Sequence, residues 1–374
     1  MKILLDARLY GLENAGLGRY AINLIRELQR IDKKNDYAVL LRKKYFDELK
    51  LGNNWKKILA DFRHYSAKEQ LLLPKIISNY GPDMAHFLHF NVPIFYRGKF
   101  VVTIHDLLMH KEKGKRSTTL PAYAYHIKRA GYKLVFHRAA KRASQIIVPS
   151  NDVASEVISY YHLGADKVRV IYEGVDPRIS VNRYVAKALT KFSLDRQYFM
   201  YAGNVFPHKN IERALEAVSL IKTKEGKTPI LLVITKESEF SKRLMSTAIR
   251  MRTEEFLKII SQVSDEELGT LMKNSLGFIF PSLSEGFGLP GLEAMSIGTL
   301  VLASDIPVFR EIYKDNAIYF NPYDFSSIRG SMQTVIDMKE GDRKRRISEG
   351  KKFTKRYSWE KTARATLKVY EKTA

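Results

Sequence analysis

Apolar residues occur mainly in short runs, and most runs are followed by a loop and then by a segment with helical apolar spacing. Short runs of this kind are typical of buried strands. We predict strands at 2–6, 37–41, 84–90, 100–104, 145–149, 167–171, 198–202, 229–234, 278–280 and 299–303. Helices are predicted at 19–29, 152–160, 211–220, 292–297 and 358–373. This alternation predicts an α/β protein with doubly wound sheets.

The strand–loop–helix series starts twice, first at Lys2 and again at Tyr198. A chain of 374 residues is also longer than one core usually serves. We therefore predict a first domain over residues 1–177 and a second over 178–357. Residues 178–195 lack strand periodicity and are interpreted as a connector.

Composition narrows the possible functions. The chain has no cysteine, which excludes disulfides and thiol chemistry. It has no Asp-x-Asp motif and no Cys–His cluster typical of zinc, so we predict no metal. The first apolar run ends at Asp6, too early for a signal peptide, and no apolar stretch reaches the length of a membrane span. We expect a cytoplasmic protein, soluble or peripheral on the inner face of the membrane.

Charge points to an anionic partner. With 63 basic and 40 acidic residues, the formal net charge is +23. Residues 111–142 hold ten Lys or Arg and one acid, Glu112, with aromatic residues between them. Two interpretations stay open: a solvated basic helix face, or a surface that binds anionic lipid.

Residues 277–298 combine the features of a ligand site at a strand end. A predicted strand leads into a glycine loop, and Pro290 suits the first turn of the helix that follows. Glycine lets backbone approach a ligand, and the N–H groups of a helix start bind anions. The residues singled out are Glu285, Phe287, Gly288, Leu289 and Glu293. Taken singly, either glutamate is explained as a loop carboxylate or as one favoured by the helix dipole.

A second loop of this type opens the predicted second domain. Gly203 and Asn204 follow the strand at 198–202, and Lys209 ends the loop just before a helix. Loop lysines are usually solvated, but one that precedes a helix N-terminus can reach a phosphate as a point charge.

The first domain offers a glycine loop at 10–18 and a histidine at a strand end. Gly16 and Gly18 lack the spacing of a dinucleotide fingerprint, and both are alternatively simple turn residues. His105 directly follows the predicted strand at 100–104, where open α/β sheets bind ligands. A lone histidine is more often structural, but this placement favours a function. His86 and His89 are assigned a structural or acceptor-side role.

The stretches 198–216 and 278–312 resemble a large family of nucleotide-sugar-dependent glycosyltransferases, the group 1 or family 4 type, mannosyltransferase-like. Its members are retaining and metal-independent, and their signature is a glutamate, seven residues and a second glutamate. Glu285 and Glu293 match it. The resemblance implies the GT-B fold, two Rossmann-like domains facing a central cleft, with the helix at about 358–374 packed back on the first.

The resemblance also implies roles for the predicted site residues. Glu285, His105 and Lys209 are predicted to be catalytic, the first two beside the donor sugar and the lysine on its phosphate. Glu293 is expected to hold the nucleotide ribose. The donor-binding set is completed by Gly16, Gly18, Gly203, Asn204, Phe287, Gly288 and Leu289. Many members carry a basic residue where this chain has Asn204, which leaves His208 or Arg19 as candidates for a second cation.

The expected function is transfer of a hexose, with a GDP-mannose type of donor favoured over a UDP-sugar. The acceptor would be a glycan or a lipid-linked glycan in surface polysaccharide biosynthesis, and we expect no cofactor besides the donor and no nucleic acid. Double displacement and front-face attack both stay open. Alternatives are a nucleotide-sugar epimerase of the same fold, a glycan phosphorylase, whose pyridoxal lysine site is not found, and a basic nucleic-acid-binding protein, for which no binding motif is found.

Overall fold

The computed structural model describes residues 1–62, 64–111, 121–179, 189–222 and 226–373. The chain forms two compact units. One comprises Met1–Gly174 together with Ser358–Ala374, and the other is Val175–Tyr357. The predicted connector at 178–195 and the basic stretch at 111–142 lie partly outside the described residues.

Over its described residues, the first unit is built on a sheet of seven parallel strands. They are β1 (Lys2–Asp6), β2 (Asp36–Leu41), β3 (Trp55–Leu59), β4 (Met84–Phe87), β5 (Phe100–Thr103), β6 (Gln145–Val148) and β7 (Val168–Val170). The order in the sheet is β3-β2-β1-β4-β5-β6-β7. Chain progression therefore reverses between β1 and β4, which pair in parallel with Asp6 opposite Phe87.

Helices cover this sheet. They are α1 (Ala15–Ile31), α2 (Lys43–Phe46), α3 (Ala67–Tyr80), α4 (Leu108–Lys111), α5 (Ala122–Arg142) and α6 (Asn151–Tyr161). The central strands are apolar on both faces because helices lie on both sides of a doubly wound sheet.

The second unit repeats this plan with six parallel strands among its described residues. They are β8 (Tyr198–Ala202), β9 (Ile230–Ile234), β10 (Leu257–Ile260), β11 (Gly277–Phe280), β12 (Val301–Ser304) and β13 (Ala317–Phe320), in the order β10-β9-β8-β11-β12-β13. Its longer helices are α7 (Ile211–Ser219), α8 (Glu239–Met251), α9 (Asp265–Lys273), α10 (Leu289–Ile297), α11 (Pro307–Tyr313), α12 (Phe325–Ile336) and α13 (Glu340–Thr354). Here the progression reverses between β8 and β11. The prediction of two doubly wound α/β domains is confirmed.

The last helix, α14 (Trp359–Thr373), belongs to the first unit and packs against α1. A buried chain of polar contacts fastens it. Tyr370 Oη lies 2.6 Å from His86 Nδ1, His86 Nε2 lies 2.8 Å from Thr103 Oγ1, and that hydroxyl lies 3.2 Å from Tyr20 Oη. Burial, and then the charge of His105, lower the pKa of His86 to about 3, so this link stays neutral.

Two helix boundaries differ from the prediction. Helix α1 begins at Ala15 rather than Arg19, so Gly16 and Gly18 lie in its first turn and not in the preceding loop. Helix α10 begins at Leu289 rather than Leu292, so Glu293 lies one turn inside it. Ser150 caps α6, since its side chain accepts from the Val153 N–H. No helix of the described chain is both long and apolar enough to cross a membrane.

Candidate active site

The loops after β8 and β11 meet at the point where strand order reverses in the second unit. This is where open α/β sheets bind ligands. Lys209 comes from the first loop and Glu285 from the second, and Lys209 Nζ lies 2.6 Å from Glu285 Oε1. Both side chains are largely buried. The structure therefore brings together two of the predicted catalytic residues, which are 76 positions apart in sequence.

Backbone contacts hold these two loops in register. The Leu283 N–H donates to the His208 carbonyl at 2.7 Å. Asn210, with a left-handed backbone at φ +58°, donates through Nδ2 to the carbonyls of Pro281 and Pro322. Asparagine tolerates this conformation better than most residues. The sequence analysis missed Asn210, although an asparagine directly before a helix is a recognisable signal for such a turn.

The start of α10 is shaped by Tyr313. Gly288 caps the helix with φ +94°, and the Tyr313 hydroxyl donates to its carbonyl at 2.5 Å. A Cβ on either Gly288 or Gly291 would lie within 2.4 Å of that hydroxyl. Burial, and then the charge of Glu285, raise the pKa of Tyr313, which keeps the donated proton on the hydroxyl. Both glycines are thus required by packing, a role that was not predicted for Gly288.

The remaining donor-binding predictions for this unit lie at the same edge. Glu293 is 3% exposed on α10, and Phe287 and Leu289 are also buried. Gly203 follows β8 with φ +146°, and the Tyr201 hydroxyl donates to the Asn204 carbonyl at 2.6 Å. Asn204 therefore contributes its backbone to the shape of this loop.

His105 belongs to the first unit, where it follows β5. Its Nδ1 lies 3.4 Å from Glu173 Oε1, and its Nε2 lies 3.0 Å from the Leu88 carbonyl oxygen. Only a doubly protonated imidazole has an N–H for each acceptor. Burial lowers the pKa of His105, but hydrogen bonding to Glu173 and its charge outweigh burial and raise this pKa above its ordinary value. The Tyr20 ring packs edge-on against the imidazole at 4.7 Å.

Glu173 was not predicted as a partner of His105. The sequence places the two residues 68 positions apart, and only the approach of β7 to the end of β5 through β6 brings them together. No periodicity in the chain signals such a pair.

The two glycines of α1 differ in surroundings. A Cβ on Gly18 would lie 1.8 Å from the Gly11 carbonyl oxygen, whereas a Cβ on Gly16 would have no atom within 4 Å. Gly18 is needed for the packing of the first turn, and Gly16 borders open space.

Within the described ranges, no group of three or more His, Asp or Glu side chains is arranged to hold a metal ion.

Two family models match the chain. The model described as glycosyltransferase family 4 matches residues 15–179, and the model described as glycosyl transferases group 1 matches residues 186–353. Together they cover most of both units.

Several curated relatives are mannosyltransferases by name. The chain is 29% identical over 353 residues to the serotype-specific mannosyltransferase WbdA of Escherichia coli, covering 87% of this chain and 42% of that protein. It is 24% identical over 398 residues to O-antigen chain mannosyltransferase B of Escherichia coli, covering 99% and 100%. The WbdA proteins are longer, and the chain spans 40% to 42% of their length. The match to O-antigen chain mannosyltransferase RfbU of Salmonella typhimurium covers 63% of this chain and 61% of that protein.

Among solved structures, HepE of Anabaena in complex with UDP and glucose resembles the chain with a TM-score of 0.77 and 15% identity, covering 100% of both chains. At this identity the likeness establishes the fold, which is the GT-B fold. The fold and the two family models agree, and the chain belongs to the group 1, family 4 glycosyltransferases.

Proposed function

We propose that the protein transfers a hexose from a nucleotide-diphosphate sugar to a glycan or lipid-linked glycan, with retention of anomeric configuration. The observation that carries this proposal is the pairing of Lys209 with Glu285 at the ligand edge of the second unit. A lysine held there by a carboxylate is positioned before a phosphate arrives, so little reorganisation is needed at the moment of reaction.

The chemistry follows from where charge develops. When the bond between the sugar and the diphosphate breaks, negative charge grows on the leaving oxygen and positive charge on the sugar ring. Lys209 and the first N–H groups of α10 stabilise the leaving group, and Glu285 lies beside the positive ring. Glu293 binds the ribose hydroxyls. These groups supply the charge that other enzymes obtain from a divalent ion.

The donor is of the mannose type and the product is a surface polysaccharide. The names of two relatives support this assignment. WbdA is a serotype-specific mannosyltransferase, and the other is O-antigen chain mannosyltransferase B. The favoured donor carries GDP as its nucleotide. HepE was solved with UDP and glucose, so a UDP-sugar is the donor to compare.

The test is nucleotide release from GDP-mannose and from UDP-glucose, with and without a mannose-terminated acceptor. Acceptor-dependent release of GDP that persists in EDTA, and an α-linked product by NMR, are the expected results. Rescue of an EDTA-treated enzyme by magnesium or manganese would contradict metal independence. A free epimerised nucleotide sugar would identify an epimerase, and nucleic-acid binding without nucleotide release would contradict an enzymatic role.

We also propose that the protein docks on anionic membrane through α5. Tyr123, Ile127 and Leu134 are 56% to 72% exposed and share one face of this helix, since they are spaced four and seven residues apart. Lys133, Arg138 and Lys141 are exposed on or beside that face. Apolar side chains flanked by cations are typical of a helix that lies in the membrane interface.

A further inference from the structure

In the first unit the strand order reverses between β1 and β4. Open α/β sheets bind ligands in the crevice at such a point, so we expect a ligand crevice here. Asp6 and Arg8 come from the end of β1, and His89 and Asn91 come from the loop after β4. The donor chemistry described above uses none of these four residues. Their hydrogen bonding indicates what this crevice can bind.

The Arg8 side chain is buried and forms three hydrogen bonds to carboxylates. Its Nη1 donates to Glu69 Oε1 at 2.6 Å, and its Nε and Nη2 donate to the two oxygens of Asp6 at 2.7 and 2.6 Å. The guanidinium is 1% exposed. Burial raises the pKa of Asp6, but the Arg8 charge outweighs burial and holds this pKa below its usual range. Three of the five N–H groups of the Arg8 guanidinium therefore already donate to carboxylates.

Carboxylates outnumber guanidinium groups among the described residues of this network. Glu69 accepts from Arg8, from Asn91 Nδ2 at 2.7 Å and from the Tyr65 N–H at 2.6 Å, as an ionised carboxylate can. Among the described residues of this hydrogen-bonded network, two buried carboxylates, Asp6 and Glu69, face one buried guanidinium, that of Arg8. An anionic ligand group is disfavoured there.

Two polar atoms of the crevice have no hydrogen-bond partner among the described residues. They are Asn91 Oδ1 and His89 Nδ1, and both atoms are buried. Asn91 is 3% exposed, and its amide orientation is fixed because Nδ2 faces the Glu69 carboxylate. Buried polar atoms rarely lack partners, so each unpaired one calls for an explanation.

The hydrogen-bonding capacities of these atoms define a ligand class. Burial, and then the charges of His105, His64 and Arg8, hold the pKa of His89 well below its usual range, so its ring is neutral, with one donor and one acceptor nitrogen. Asn91 Oδ1 only accepts. Phosphate oxygens also only accept and cannot satisfy Asn91. A sugar hydroxyl both donates and accepts, so hydroxyls satisfy both atoms.

We propose that His89 and Asn91 form an acceptor subsite that binds the hydroxyls of a neutral sugar and discriminates against a phosphorylated one. The proposal rests on the glycosyl-transfer function and deepens it. The acceptor group held in this crevice is the uncharged sugar end of a glycan, and not the phosphate of a lipid carrier.

Lys128 Nζ lies 5.9 Å from the centroid of the Tyr65 ring, on the outer side of the network. An anionic part of the acceptor can meet this lysine while the neutral sugar end lies in the crevice.

The experiment measures binding of two probes to the full chain by saturation-transfer NMR. The probes are a methyl mannobioside and the same disaccharide carrying a phosphate on one ring hydroxyl. We expect the neutral probe to bind at least about 10-fold more tightly, a factor equivalent to about 1.4 kcal/mol. Equal or tighter binding of the phosphorylated probe would overturn the proposal.

The variant is His89→Phe, which keeps an aromatic ring beside Phe90, whose ring centroid lies 4.0 Å from that of His89, and removes both nitrogens. Loss of one such hydrogen bond should weaken the neutral probe about 5- to 10-fold. His137→Phe, an exposed histidine on α5, is the matched control and should bind as the wild type does. Wild-type affinity in His89→Phe, with its GDP binding intact to show that it is folded, would also overturn the proposal.

The same samples separate this subsite from the glycosyl-transfer function. If the wild type releases GDP from GDP-mannose but binds no neutral disaccharide, the subsite is wrong and the function stands. If it binds the disaccharide at His89 but binds no nucleotide sugar, the subsite stands and the function is wrong.

Discussion

Lys209 is the residue on which the proposed donor chemistry depends most. Its ammonium lies 2.6 Å from Glu285 at the ligand edge of the second unit. Replacing Lys209 with alanine removes a positive charge needed most when the diphosphate leaves, so kcat should fall about 10²- to 10³-fold. Steady-state kinetics of GDP release test this.

The matched control for Lys209 is Lys242→Ala. Lys242 also pairs with a glutamate, Glu239, at 3.1 Å, but on the solvent-exposed surface of α8. Exposed pairs of this kind contribute little. A kcat for Lys209→Ala that matches that of Lys242→Ala would contradict the assigned role.

His105 and Glu173 give a pH-dependent prediction. The pKa of His105 is raised in the folded state, so its ion pair with Glu173 adds stability at pH below about 6.5, its ordinary value, and loses it as pH rises through the raised value. Glu173→Gln should lower the pKa of His105, because burial lowers this pKa and the charge of Glu173 no longer raises it. The His105 ring protons, followed by NMR titration, report this directly.

The same pair predicts a difference in stability between wild type and Glu173→Gln. The difference in the free energy of unfolding should be largest in mildly acidic solution and should shrink above neutrality. A difference that is constant across this pH range, with an unchanged His105 titration, would mean that the two side chains do not interact in solution.

At the scale of single residues, the sequence predicted the candidate site residues better than it predicted the residues that contact them. Lys209, Glu285, Glu293 and His105 were singled out because each stands beside a strand end or a helix start. Asn210 and Glu173 were not, because their contacts depend on which strands become neighbours. The roles of the predicted residues stay predictions.

At the scale of elements, the two glycines of α1 separate packing from ligand access. Gly18→Ala places a Cβ 1.8 Å from the Gly11 carbonyl oxygen, so the helix start must shift, and we expect a loss of about 1–3 kcal/mol in the free energy of unfolding. Gly16→Ala meets no atom within 4 Å and should be neutral or stabilising by up to about 1 kcal/mol. Thermal or urea unfolding of both variants measures this.

Gly16→Ala serves as the control for the general effect of alanine in this turn. Equal stability of the two variants would contradict the packing role of Gly18. A loss of nucleotide or acceptor binding in Gly16→Ala, without a loss of stability, would instead place a ligand at that position.

The three strands that the sequence analysis missed have the same kind of position in their sheets. β3, β10 and β13 are all edge strands of their sheets. An edge strand has one neighbour and is partly exposed, so β3, with the sequence WKKIL, carries lysines and lacks the continuous apolar run of a central strand. Central strands, buried on both faces, were predicted within a few residues because burial requires such runs.

At the scale of the whole molecule, the restart of the strand series at Tyr198 was sufficient to predict two α/β domains. Both strand-order reversals follow from this topology, and each collects polar residues from distant parts of the chain. The sequence could not place His89 and Asn91 over the Arg8 network, because that crevice exists only once β1 and β4 pair.

The structure also changes which cations belong to the basic surface. Arg129 donates to the Tyr125 hydroxyl at 2.8 Å, and Lys128 lies over the Tyr65 ring. Arg142 donates to the Tyr96 carbonyl at 2.8 Å. These three basic side chains contact other residues of the first unit. The exposed cations that accompany the apolar face of α5 are Lys133, Arg138 and Lys141.

The last prediction concerns that face. Each cation near an anionic bilayer contributes about 1 kcal/mol, and salt screens it within a Debye length of about 10 Å at 0.1 M. Wild-type protein should sediment with vesicles that contain anionic lipid at low salt, and less so at high salt or with neutral lipid. Replacing Lys133, Arg138 and Lys141 with glutamine should remove most of this binding and leave the affinity for GDP unchanged.

The control removes the same charge elsewhere. The helix α13, in the other unit, has few exposed apolar side chains. This helix carries the exposed residues Lys344, Arg346 and Lys352. Their replacement by glutamine lowers the net charge of +23 equally but leaves the apolar–basic face of α5 intact. If both triple variants lose binding equally, attraction is a property of the total charge. If only the α5 variant loses binding, the surface is a specific docking face. If the wild-type protein does not bind anionic vesicles at all, α5 is only a solvated helix.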